Sequence, residues 1–142
     1  MVHELRALVA ANERFYQAFE AAEPLAMDEV WAQLPGDTCI HPGWDPIRGP
    51  INVANSWRRI FAGQERLAVQ LSELHAEIHG DVGVVHLVEN IWVARTRQEV
   101  GKVAATNLFV RRDGAWKLTL HHGSPMGGPP DELSTKPGEP DN

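Results

Sequence analysis

Apolar positions recur at helical spacing through the first part of the chain and then switch to strand-like alternation. Leu5, Leu8, Val9, Asn12, Tyr16 and Phe19 form one stripe opposite Glu4, Arg6, Glu13 and Glu20, which predicts an amphipathic helix over residues 4–22. Pro24 punctuates it. Met27, Val30, Trp31 and Leu34 share one face of a second, shorter helix running to the Pro-Gly-Asp at 35–37. Residues 38–42, TCIHP, read as a short strand leading into a loop. Gly49–Pro50 starts a third helix, because proline suits the first helical position, and Gly63 ends it. Val53, Trp57, Ile60 and Phe61 lie along its apolar face.

From Leu67 the period is that of strands. Four segments rich in Val, Ile, Thr and Trp are predicted at 67–79, 82–95, 102–112 and 115–124. Gly80–Asp81 and Asp113–Gly114 mark two-residue hairpin turns. Counting outward from the second turn pairs Phe109 with Leu118, Asn107 with Leu120 and Ala105 with His122. One face of that hairpin then carries Asn107, Phe109, Trp116, Leu118, Leu120, His122 and Ser124, and His121 points away. In the first hairpin Leu74, Ala76, Ile78, Val85, Leu87, Glu89 and Ile91 share a face. His75 stands opposite His86 on the other face, beside Val82, Val84, Val88 and Trp92. Both faces of the 82–95 strand are apolar. One is expected to meet the helices and the other a second copy of the chain, giving a homodimer through the outer sheet face. Residues 1–125 thus form one domain, and the Pro/Gly-rich segment 126–142 reads as a disordered tail.

Composition narrows the function classes. The chain has 142 residues, 43% hydrophobic and 23% charged, with a formal net charge of −6. An acidic chain with scattered basic residues is not built for nucleic acid or an anionic membrane surface. No stretch approaches the roughly 20 apolar residues of a membrane span. The one cysteine, Cys39, rules out an internal disulfide framework, and a reducing cytoplasm is the expected setting.

Glu89, Asn107 and His122 are polar residues on faces expected to be buried, where each costs free energy unless paired or wetted. Two readings follow: a cavity with one polar end, or groups that satisfy one another inside a closed core. In the cavity reading Glu89 and His122 are the candidate proton shuttles, since burial raises a carboxylate toward neutral pH. Asn107 would orient or polarise a carbonyl, and Tyr16, Trp57 and Phe109 complete the wall. Proton transfer beside a carbonyl needs no cofactor, and none is expected. No metal is expected either, because His75-x3-His79 is spread along a strand and the His75–His86 pair has no third ligand. The segment HPGWDPIRGP at 41–50, with His41, Trp44, Asp45 and Arg48, is either the rim of a site or a structural corner, with Trp44 capping the core and Asp45 and Arg48 forming a surface ion pair in the second case.

The order of these elements, with IHPGWDPIRGPINVANSWRRIF, LVENIW, AATNLFVRRDGAWKL and HHGSP, resembles the nuclear transport factor 2-like, or SnoaL-like, superfamily. More narrowly it resembles a bacterial branch of ketosteroid-isomerase homologues. The resemblance spans residues 5–125 and implies an α+β cone, a strongly curved antiparallel sheet wrapped around three N-terminal helices. It also implies a pocket inside the cone, with His41 and Trp44 lining it and Arg48 at its rim, and dimerisation through the sheet. Steroid isomerases of this fold use an aspartate base, which no position here matches. The cone hosts isomerases, lyases and non-catalytic assembly domains. The expected activity is therefore cofactor-independent acid–base chemistry on a small apolar carbonyl compound; the alternative is a dimerisation or accessory interaction module.

Overall fold

A computed structural model describes residues 2–63 and 65–127. Three helices precede a long antiparallel run, as the periodicity predicts: α1 (Val2–Ala21), α2 (Pro24–Val30), β1 (Thr38–Ile40), β2 (Ile47–Arg48), α3 (Pro50–Gly63), β3 (Leu67–His79), β4 (Val82–Val93), β5 (Glu99–Arg112) and β6 (Ala115–Pro125). The strands form one curved, unclosed sheet in the order β2-β1-β6-β5-β4-β3. The four long strands are antiparallel neighbours, whereas β1 runs parallel to β6. The expected tail, residues 126–142, lies almost wholly outside the described residues.

The core fills the space between α1 and the concave sheet face. Leu8, Phe15, Val53, Val85, Phe109 and Leu118 are all at most 1% exposed. Gly83 lets α1 approach β4, because a Cβ there would meet Leu8 Cδ1 at 2.6 Å. Leu5, placed on the apolar stripe by its spacing, is left 40% exposed at the start of α1. The second turn has φ of +50° at Asp113 and +78° at Gly114, the pair of left-handed residues that a tight hairpin requires. α2 is shorter than predicted. Trp31 is extended (φ −83°, ψ 148°) and bridges to Leu118 instead of continuing the helix.

Two β-bulges change the faces that simple counting assigns. In the β5–β6 hairpin the register holds from Arg112–Ala115 to Phe109–Leu118, but Leu108 then pairs with Leu120 and Asn107 with His121. Thr119 is the extra residue; its hydroxyl donates to buried Asp37 Oδ1 at 2.9 Å, close to where the 31–38 segment joins β6. Beyond it every side chain of β6 changes face. His122, predicted to point inward, is therefore exposed, and His121, predicted outward, is 3% exposed. The other bulge lies between Ser72 and His75, with Glu73 at φ +53°. It turns Leu74 outward, to 40% exposure, where alternation placed it inside. Asn90 Nδ2 braces this bulge by donating to Gln70 O (2.9 Å) and Ser72 Oγ (3.0 Å). His75 pairs with His86 as expected, and both are exposed.

Candidate functional site

A cavity of about 290 Å³ opens between the concave sheet face, α1, α3 and the loop after β1. Its walls are apolar: Phe15 and Phe19 from α1, Trp57 and Ile60 from α3, Leu67 and Ile91 from the sheet, and Val100. The loop supplies His41, Pro42 and Trp44. His41 is 3% exposed, with its ring centroid 4.8 Å from Trp44 and 4.6 Å from Trp57. Trp44 is 40% exposed and stands at the mouth, with the Arg59 guanidinium 5.9 Å from its ring centroid. The Pro/Gly-rich segment is thus both corner and wall. Arg48 and Asp45 are exposed and do not line the cavity.

The polar end is built from four elements. α1 presents Asn12 and Tyr16 one helical turn apart, so both side chains leave the same face. Tyr16 donates its hydroxyl to Glu89 Oε2 at 2.6 Å. Asn107 Nδ2 spends its two hydrogens on Asn12 Oδ1 (2.9 Å) and Tyr16 Oη (3.0 Å), which turns Oδ1 toward His121 Nδ1 at 2.6 Å. A carbonyl oxygen only accepts, so Nδ1 of His121 carries the hydrogen and Nε2 bears the lone pair. That Nε2 lies 3.9 Å from Glu89 Oε2.

Burial sets the charge states. It raises Glu89 to about 7, against the lowering effect of the Tyr16 hydrogen bond. Burial, with His41 and His122 nearby, depresses His121 to about 3. The His121–Glu89 approach is accordingly a contact between a neutral imidazole and a titratable carboxyl, not an ion pair. Burial likewise depresses His41 to about 4, and burial with the Glu89 charge raises Tyr16 well above its ordinary value. His41 Nε2 faces Ser56 Oγ at 2.9 Å; the Ser56 hydroxyl already donates to Val53 O at 2.7 Å, so Nε2 is the donor. Burial also raises the Cys39 thiol, which therefore stays protonated.

Of the residues selected from sequence, Tyr16, His41, Trp44, Trp57 and Glu89 line one cavity. Asn107 and Phe109 are 0% exposed and do not line it. Asn107 positions its neighbours and has no hydrogen left to polarise a carbonyl; Phe109 is core. His121 takes the place assigned to His122. Sequence reasoning missed His121 and Asn12. The adjacent histidines made the choice depend wholly on register, and Asn12 sat on an apolar stripe whose polar member was itself the available signal. Among the described residues, no three His, Cys, Asp or Glu side chains converge on a point that could hold a metal.

A curved sheet closing over helices around one such pocket defines a class of α+β cone proteins. The chain belongs to the SnoaL-like domain family, whose model matches residues 8–127. A "putative dehydratase from the NTF2-like family" from Streptomyces avermitilis superposes with a TM-score of 0.81 and 30% identity, over 89% of this chain and 98% of that one. A "putative calcium/calmodulin-dependent protein kinase type II association domain" from Thiobacillus denitrificans superposes with a TM-score of 0.77 and 32% identity, over 83% and 94%. F-box protein SKIP8 of Arabidopsis thaliana is 25% identical over 121 residues, which are 85% of this chain and 50% of that protein. The chain thus spans half the length of that curated relative.

Proposed function

We propose that the cavity binds a small, largely apolar carbonyl compound and that Glu89 moves a proton on it, as an isomerase- or lyase-like acid–base catalyst without a cofactor. The observation that carries this reading is a carboxyl at the cavity's polar end held near neutrality, where it both takes and returns protons efficiently. Ionised Glu89 takes the proton from the carbon beside the carbonyl; the C–H bonding pair becomes a C=C bond as the C=O π pair moves onto oxygen, giving an enolate, and Glu89 becomes a carboxylic acid that returns the proton. Tyr16, itself held by Asn107, keeps the carboxyl in place. The neighbour named as a dehydratase fits this chemistry.

The test is hydrogen–deuterium exchange at the α-carbon of cyclohexanone in D2O, followed by NMR. Wild-type protein is expected to exchange faster than buffer, and Glu89→Gln to return the rate to background. Exchange at the buffer rate by wild-type protein, with the ketone shown to bind, would reduce the site to a binding pocket.

A homodimer through the outer sheet face is the accompanying proposal, supported by half-buried Val84, Val88 and Trp92 on that face and by the neighbour named as an association domain. Val88→Glu would place an unpaired charge in that interface. Light scattering should give a dimer for wild type and a monomer for the variant; a monomeric wild type removes the proposal.

A further inference from the structure

Two atoms at the polar end of the cavity have no hydrogen-bond partner among the described residues. Glu89 receives Tyr16 on Oε2, leaving Oε1 free, and His121 is engaged only through Nδ1, leaving Nε2 free. Neither atom is among the sealed, partnerless polar atoms of the interior, and both residues line the cavity. Leaving them without a partner is costly in a dry pocket. Among the described residues, no Lys or Arg lines the cavity to receive an anion.

We infer that this end of the cavity is a hydroxyl-recognition site, in which one alcohol group donates its hydrogen to His121 Nε2 and accepts one from the protonated Glu89 carboxyl. His121 Nε2 lies 3.9 Å from Glu89 Oε2, the oxygen that Tyr16 occupies, so a hydroxyl within hydrogen-bond reach of Nε2 stands beside the same carboxyl, whose Oε1 is free to meet it. A hydroxyl both donates and accepts; an ether or ketone oxygen only accepts, and would leave Nε2 unpaired. Asn107 fixes this polarity, because its Oδ1 keeps the His121 hydrogen on Nδ1 and so keeps Nε2 an acceptor. The inference rests on the pocket reading above and names its substrate class, an uncharged, largely apolar hydroxy-carbonyl compound held by the proton-bearing form of Glu89; the ionised form is the one that takes the α-hydrogen. A carboxylate or phosphate at this end would meet Glu89 with no cation among the described residues to balance it.

Binding of three matched probes to the full chain tests it: cyclohexylmethanol, its methyl ether, and cyclohexanecarboxylate, titrated by NMR at pH 6. The alcohol is expected to bind about tenfold or more tightly than the other two. His121→Phe, which keeps an aromatic ring and removes the acceptor, should lower the alcohol to the affinity of the ether without weakening the ether. A measurement that needs no variant uses 15N-histidine protein: the alcohol should move the His121 Nε2 resonance upfield, as an accepted hydrogen bond does, and the ether should not. Equal binding of alcohol and ether, or an unmoved Nε2 resonance with the alcohol bound, overturns hydroxyl recognition and leaves the pocket reading standing. Binding by none of the three overturns the pocket reading and this inference with it.

Discussion

Asn107→Leu is expected to cost about 3–5 kcal/mol of folding free energy, because it leaves several buried polar groups without partners. Leucine fills a similar volume, so packing changes little, but it offers neither donor nor acceptor. Asn12 Oδ1 loses the N–H it accepts, and the His121 Nδ1–H loses its acceptor. Both groups are inside, Asn12 at 0% and His121 at 3% exposure. Tyr16 keeps its bond to Glu89 but loses the donor to its own oxygen. Each stranded group costs about 1–3 kcal/mol, and the network has no slack, since Asn12 Nδ2 is already unpartnered. Urea unfolding of wild type and variant measures the difference. A loss below about 1 kcal/mol would mean that water or a repacked side chain replaces Asn107 at little cost, and its positioning role would fall.

The second large effect is a dependence on pH that separates Glu89 from everything else. Glu89 has an ordinary value of 4.5 and is raised by burial to about 7 in the folded chain. Between those values the folded protein holds a proton that the unfolded chain has released. Its contribution to stability is thus complete below about 4.5 and is lost as pH rises through 7. His41 and His121 act in the opposite sense. Their folded values, about 4 and about 3, lie below the ordinary 6.5, so their contribution is present above 6.5 and is lost as pH falls through the folded values. Wild type should therefore be most stable near pH 6–7. Comparison with Glu89→Gln cancels the histidines to first order. The variant should gain about 2–3 kcal/mol relative to wild type between pH 5 and pH 8. A difference that stays flat over that range would give Glu89 an ordinary carboxylate pKa and would remove the proton shuttle on which the proposed catalysis depends.

Local chemistry carries most of what was legible before the structure. The helical stripe of α1, proline at the start of α3 and the two Gly/Asp turns each act within a few residues, and each element stands where its sequence places it. Register away from those turns is different. It rests on an unbroken alternation, and one inserted residue reverses every later side chain. Thr119 does so because Asp37, distant in sequence, holds its hydroxyl where β6 also meets the 31–38 segment. Nothing within β6 announces that contact. The candidate site therefore came out partly right from sequence. Glu89 lies past the β3 bulge but on β4, whose own alternation is unbroken, and Tyr16 lies on a helix, whereas the choice between His121 and His122 depended on a bulge within β6 itself. α2 ends early for a related reason: Trp31 exchanges a last helical turn for a bridge to Leu118.

The parallel pairing of β1 with β6 has a consequence for the order in which the molecule assembles. Thr38 lies beside Leu120, with about two-thirds of the domain between them along the chain. β1 and β2 pair with each other locally, but that two-stranded piece has no sheet to join until the last strand is in position. The long antiparallel hairpins close locally and face no such delay. The loop bearing His41 and Trp44 follows β1, so that wall of the cavity depends on the slowest, most distant pairing in the fold. The scaffold around Glu89 forms from neighbouring strands, whereas the enclosure that dries it is completed last and is the part a partial opening would release first.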